Sequence, residues 1–417
     1  MLGIPHLYCG FSWKFRSIDA KINTMYVKRL TPIEAELRKK SVLLIGPRRT
    51  GKSAFIRNQL RVDRVYDLLK ADVFQALSAR PSLIRESLQP KDKLIVIDEV
   101  QRLPNVLDEI HSMIEERKIR FLLTGSSARK LRRTHTSLMA GRVRVMHLHP
   151  FCFPELCELM GGNVDLGKIV ATGCLPPVAI ARTEPNGDSE AWRELKDYGG
   201  DYLHHEILAE AVVRKIEAFS RFLPVAARMN GELINFEAIA SDSQVPARTI
   251  REYYSILQDT LLGRTLEPLR LKGKNSRKAT ATAKFYFFDC GITNALLGRR
   301  SVAVDSTEFG ILFETWIHNE IRAYIDYVVH GDAELQFWRH PNGDEVDLVV
   351  NGEIAIEVKA TRNVNERHIG GLLALSRLKK MRKLFVVSRD PNRRQLSGVE
   401  LLSWQDFAES LWRGEIF

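Results

Sequence analysis

The stretch SVLLIGPRRTGKSAFIRNQL, residues 41 to 60, leaves little freedom of fold: a short apolar strand, a loop holding two glycines, then a helix. Residues Gly46 to Ser53 read GPRRTGKS and fit G-x-x-x-x-G-K-S, a loop whose backbone N–H groups wrap phosphates at a helix N-terminus. Gly46, Pro47, Arg48, Arg49, Thr50 and Gly51 would form the cradle. Lys52 would reach the outer phosphates, and Ser53 would offer a hydroxyl to Mg2+. A strand that delivers such a loop at its C-terminal end belongs to an open parallel sheet, so the expected fold class is α/β.

A second apolar strand, KLIVIDEVQRLP, ends in Asp98 and Glu99. A parallel strand brings acids to this same edge. There Asp98 would hold the magnesium through water and Glu99 would polarise the water attacking the terminal phosphate. Beside a phosphate loop this pair predicts ATP hydrolysis with ATP and Mg2+; alone it would be two solvated acids after a buried strand. A third strand, RFLLTGSS, ends in the hydroxyls of Thr124 to Ser127, of which Ser126 is the preferred contact to the phosphate or water. Downstream, Arg142 in SLMAGRVRVMHLHPFCFPEL is a candidate sensing or finger arginine, in cis or from a neighbouring subunit, against the ordinary alternative of a surface arginine.

Hydrophobic content of 45% and charged content of 27% place the chain among folded globular proteins. Its five cysteines include no CxxC pair, and no apolar run reaches the length of a membrane span, which together predict a cytoplasmic protein without a membrane partner. The net charge of +11 favours a polyanion such as DNA. Lysines and arginines cluster at 128 to 133, 269 to 284 and 377 to 394. The expected organisation of the 417 residues is an extension (1–24), an ATPase core (25–160), a helical lid or connector (161–215), a winged helix-turn-helix (216–300) and a C-terminal α/β domain (301–417).

The winged-helix expectation comes from the stretch beginning GELINFEAIASDSQVPARTIREYYSILQD: a short helix from Phe236, a turn, and a longer helix from about Pro246 with Ile250, Tyr254 and Leu257 on one face. Arg248 and Arg251 point elsewhere, and Lys272 and Lys274 lie in a basic segment resembling a wing. These four are the candidate nucleic-acid contacts, weighed against a scaffold module with a solvated charged face.

Near the C-terminus, GDEVDLVVNGEIAIEVKA reads as a hairpin. Val346, Leu348 and Val350 alternate on one strand and Ile354, Ile356 and Val358 on the other, so one buried face must hold both sets. A three-residue loop, Val350-Asn351-Gly352, achieves this by pairing Leu348 with Ile354 and Asp347 with Ala355. Asp347, Glu357 and Lys359 then share the opposite face. Upstream, FGILFETWIHNEIRAYIDYV is an amphipathic helix with Glu320 in the middle of its apolar stripe and Glu314 at the edge. Helix acid, strand acid and E-x-K resemble the PD-(D/E)XK pattern of restriction-endonuclease-like folds. That pattern would give Asp347 and Glu357 to Mg2+ or Mn2+, with Glu320 completing the site and Lys359 stabilising charge. The alternative is a retained fold with no cleavage.

The GPRRTGKS, IDEVQRLP, LLTGSS and AGRV...PFCFPEL motifs, with GCLPPV, DYLHHEIL and FYFFDCGI, resemble prokaryotic AAA-type ATPases that carry a C-terminal domain of unknown function. The resemblance runs from about Met25 nearly to the end. It implies a P-loop (AAA-type) sheet with a helical lid, and homo-oligomers in which one subunit lends an arginine to the next. The reading is an ATPase acting on or regulated by DNA with a nuclease-like domain; its rival is a nucleotide-controlled switch or scaffold that binds a protein partner or holds DNA uncut.

Overall fold

The computed structural model describes residues 26–126, 141–199, 216–271 and 282–417. Lys272, Lys274 and the basic run 128 to 133 therefore lie outside the described residues.

The N-terminal sheet contains β1 (Ser41–Ile45), β2 (Arg64–Asp67), β3 (Leu94–Asp98), β4 (Arg120–Gly125) and β5 (Val143–His147) in the order β2-β3-β4-β1-β5. All pairings are parallel. Strand β4 lies between the phosphate-loop strand β1 and the acid-bearing strand β3, so Gly46, Asp98 and the Thr124–Ser126 turn meet at one edge. Val42, Leu44, Val96 and Leu122 pack with Phe55 and Ile56 of the helix Lys52–Gln59. Phe55 is fully buried, a side chain contributing roughly 2–3 kcal/mol, which seats the helix start against the sheet.

The second sheet contains β6 (Gly263–Pro268), β7 (Lys284–Phe287), β8 (Leu335–Arg339), β9 (Glu345–Val350), β10 (Ile354–Lys359), β11 (Lys383–Ser388), β12 (Arg394–Leu396) and β13 (Val399–Ser403), ordered β12-β13-β11-β10-β9-β8-β6-β7. The helices Phe236–Ser243 and Ala247–Asp259 precede it, joined through Gln244 at φ +53°. Ile250, Tyr254 and Leu257 are buried, as the helical spacing requires. The strand after them is no free wing: β6 pairs with β7 and also with β8, through Glu267 with Gln336 and Pro268 with Phe337. One sheet thus runs across the boundary expected near residue 300.

The hairpin keeps its expected face but shifts its register. Val350 pairs with Ile354 and Leu348 with Ile356, so the loop is Asn351-Gly352-Glu353. Both loops have three residues and preserve the face, so alternation could not choose between them. Asn351 decides it: its N–H donates to Glu334 O (2.8 Å) and its side-chain oxygen accepts from Glu334 N (2.8 Å), while Asn351 and Gly352 take φ of +52° and +63°. Leu348, Val350, Ile354, Ile356 and Val358 share one core with the long helix Thr307–Tyr327. Val346 departs from this set. Asp347 and Leu348 stand opposite the single residue Phe337, a bulge that turns Val346 to the other core with Trp338 and Leu372.

Two motifs outside the phosphate site explain each other. Asp289 caps the helix Cys290–Leu296 and also accepts from Cys174 N at 2.6 Å. A Cβ on Gly173, at φ +73°, would lie 1.9 Å from Asp289 Oδ1, so GCLPPV needs its glycine to receive the aspartate of FYFFDCGI. Burial, against three backbone N–H donors, pushes the Asp289 carboxyl up to about 6.

Candidate functional site

The loop after β1 makes its turn with Arg49 at φ +61° and Gly51 at φ +94°. Gly46 is required by proximity: an added Cβ would stand 2.6 Å from Leu148 O, on the segment whose N–H closes on Ile45 O at 2.8 Å. Thr50 Oγ1 donates to Pro47 O (2.7 Å). Lys52 is buried, its Nζ donating to Gly46 O (2.7 Å) and Pro47 O (3.1 Å). Arg48 and Arg49 are half-buried; Arg49 forms an ion pair with Glu194 (2.6 Å) on the helix Gly187–Asp197, tying the loop to the expected lid.

Opposite the loop, the exposed Ser53 Oγ donates to Asp98 Oδ2 at 3.1 Å. Thr124 Oγ1 donates to Asp98 Oδ1 and accepts from Glu99 N at 3.1 Å. Burial raises the Asp98 carboxyl from its ordinary value, and the Thr124 and Ser53 hydrogen bonds oppose that rise. Glu99 takes φ +59° and ψ +45° and is buried. Gln101 Nε2 (2.5 Å) and Ser126 Oγ (3.2 Å) both donate to Glu99 Oε2. The sequence-predicted Lys52, Ser53, Asp98, Glu99 and Ser126 are therefore brought to one edge, with Thr124 linking the two acids.

Arg142 is not among them. It immediately precedes β5, at the N-terminal edge of the sheet, one strand length of about 17 Å from the phosphate loop, and pairs with Glu115 at 2.6 Å. An action in cis is ruled out by this distance. Arg29, which no motif marks, is the buried arginine of the site. It donates to Thr50 O (2.6 Å), His149 O (2.7 Å) and Glu155 Oε1 (3.0 Å), so one guanidinium braces the phosphate loop against the end of the core. Burial would lower its basicity; Glu155 more than reverses that.

The C-terminal acids form a second cluster, with one change of member. Glu320 is buried but turned away: its Oε2 accepts from Phe153 N (3.1 Å) and Trp412 Nε1 (2.8 Å). Glu314, six residues earlier and so about 120° round the helix, takes the expected place. It accepts from Tyr286 OH and from Lys284 Nζ (3.2 Å), and Lys284 also reaches Glu345 (2.6 Å). Asp347 Oδ2 accepts from Val358 N (2.8 Å), and Lys359 Nζ stands 2.5 Å from Glu357 and 3.9 Å from Asp347. Burial, then the Asp347 charge, raises both Glu314 and Glu357.

The expected metal ligands Asp347 and Glu357 lie together beside Lys359, the lysine that the E-x-K pattern places there. Two lysine ammoniums, those of Lys284 and Lys359, stand among the four carboxyls of Glu314, Glu345, Asp347 and Glu357. Among the described residues no group of three or more His, Cys, Asp or Glu side chains is placed to hold a metal ion. Of the nucleic-acid candidates, Arg248 is 94% exposed and 3.9 Å from Glu252, whereas Arg251 lies over the Phe236 ring at 4.6 Å.

The strand order, the phosphate loop and the paired acids at the sheet edge are those of a P-loop α/β nucleotide site. Consistent with this, residues 38–157 match the family model AAA_14, an AAA domain. Residues 163–303 match DUF8612 and residues 309–407 match DUF4143, both domains of unknown function. Among solved structures, the chain is similar to a Walker-type ATPase of Pyrococcus abyssi, at 16% identity over 63% of this chain and 93% of that one, TM-score 0.41. It is also similar to the ORC1 protein of Aeropyrum pernix in complex with DNA, at 14% identity over 64% and 92%, TM-score 0.28. Drosophila ORC bound to DNA matches at 11% identity over 58% and 86%, TM-score 0.21. No curated protein matches the chain. Among the described residues, no helix is long and apolar enough to cross a membrane.

Proposed function

We propose that this chain binds and hydrolyses ATP in a manner regulated by DNA, and that its nuclease-like C-terminal domain binds without cutting. The observation that carries the first part is the linked set Ser53–Asp98–Thr124–Glu99–Ser126 facing the phosphate loop. A hydroxyl and a carboxylate oxygen suit Mg2+; Ser53 and Asp98 would hold it, and the bound ion would neutralise phosphate charge. Loop N–H groups and Lys52 would bind the phosphates, while Glu99 would receive a proton from the attacking water. A finger role for Arg142 would be played across a subunit interface of a homo-oligomer.

The DNA part is supported by the net charge of +11 and by the exposed Arg248 on a helix pair followed by the antiparallel β6–β7. The absence of cleavage is supported by the lysine-neutralised acid cluster. The test is ATP turnover with and without duplex DNA between 50 and 200 mM salt, roughly the range over which phosphate contacts weaken steeply. Stimulation that fades with salt is expected, with Arg248→Ala reducing the log–log slope by about 1 and Arg251→Ala by less. The DNA should remain uncut in Mg2+ or Mn2+. Turnover indifferent to DNA would shift the reading to a protein-regulated switch; cutting that vanishes in Asp347→Ala would restore the nuclease.

A further inference from the structure

Gln101 lies in the short 3-10 turn Val100–Arg102 directly after the acid pair and is 3% exposed. Its side-chain nitrogen stands 2.5 Å from Glu99 Oε2 and 3.1 Å from Ser126 Oγ. A carboxylate only accepts, so the atom facing it must be the amide nitrogen, which fixes the orientation of the amide. Among the described residues, Gln101 Oε1 is then a buried acceptor that no protein donor reaches. Such an atom is costly unless a ligand or water serves it. Glu99 is itself held in the left-handed region beside it, a conformation that non-glycine residues keep where the surroundings enforce it.

We infer that Gln101 is a positioning residue for ATP hydrolysis, an inference that rests on the ATPase reading above. Its N–H group holds Glu99 in place, and its carbonyl oxygen accepts one O–H of the attacking water while Glu99 accepts the other. In the step this serves, the water oxygen bonds to the terminal phosphorus as the bond from phosphorus to the ADP oxygen breaks. That oxygen leaves with the bonding electron pair, one water proton passes to Glu99, and the other hydrogen stays on the product phosphate. Gln101 exchanges neither protons nor electrons; it orients.

The experiment compares steady-state turnover and ATP affinity of the full chain with those of Gln101→Ala, Gln101→Glu, Glu99→Gln and the double variant Glu99→Gln/Gln101→Ala, with thermal melting as the fold control. Gln101→Ala should lower kcat about 10- to 100-fold, since misplacing a reacting group by about 1 Å can cost on the order of 100-fold, with ATP affinity within about twofold. Gln101→Glu should do no better, because two carboxylates then face each other. In the Glu99→Gln background the alanine should add little, since both residues act on one water. A merely structural glutamine would lower affinity and melting temperature together and would be additive with Glu99→Gln. That result, or a Gln101→Ala variant turning over at the wild-type rate, overturns the inference alone. A wild type that does not hydrolyse ATP overturns the ATPase reading as well.

Discussion

Lys52→Ala lowers ATP turnover by at least about 100-fold. The ammonium is the cation that the chain itself places inside the phosphate loop, buried and held at 2.7 and 3.1 Å from Gly46 O and Pro47 O. Phosphoryl transfer is catalysed mainly by placing charge where it develops, and removing one preorganised donor costs about 10²–10³ in rate. The measurement is phosphate release at saturating ATP, with melting temperature as control. Wild-type turnover by a folded Lys52→Ala protein would end the assignment of this loop to the outer phosphates.

The second large effect concerns stability. Burial pushes the Glu320 carboxyl from 4.5 up to about 7, against hydrogen bonds from Trp412 and Phe153 that favour the charged form. A carboxyl raised in the folded state contributes stability that is full below its unfolded value and is lost as pH rises through about 7. The shift corresponds to an order of ~3 kcal/mol at pH 8. Glu320→Gln keeps the acceptor for Trp412 and Phe153 and cannot ionise. It should therefore be more stable than wild type at pH 8, by roughly 2–3 kcal/mol in denaturant unfolding, with the advantage vanishing below the unfolded value of 4.5. Equal stabilities at pH 8 would show that the folded protein tolerates the charge. Asp289, raised from 3.8 to about 6 by burial, works in the same direction, so the wild type should itself lose stability as pH rises from about 4 to about 7.

The sequence disclosed what local pattern and chemistry determine. A strand that must end at GPRRTGKS and another that must end at Asp98-Glu99 place the phosphate and water groups before any coordinates are known. Alternation in the hairpin correctly told which side chains of β10 share a core. It could not tell Asn351-Gly352-Glu353 from the loop one residue earlier, because a contact with Glu334 makes that choice.

The helix acid was misassigned for a related reason. Stripe analysis assumes one buried face, but the long helix is buried on several: Phe309, Thr315, His318, Glu320, Ala323 and Tyr327 are all under cover. Position in the stripe then says nothing about which acid meets Asp347. Lys284 and Tyr286, which hold Glu314, come from β7, 30 and 28 residues upstream; Tyr286 lies in FYFFDCGI, but nothing in that motif points to an acid on the long helix. Gln101 did carry a signal, as a polar residue two positions after Glu99 in a turn that the fold must bury. Arg29 carried none, since its partners Thr50, His149 and Glu155 meet it only through tertiary packing.

The central claim is tested most directly by incubating the wild-type chain and Glu99→Gln with ATP and Mg2+, measuring bound nucleotide and released phosphate in the same samples. The prediction is multiple turnovers by the wild type, with Glu99→Gln binding ATP equally and releasing phosphate at least about 100-fold more slowly. A wild type that binds ATP yet releases no phosphate, or a Glu99→Gln protein that releases it at the wild-type rate, would contradict the account.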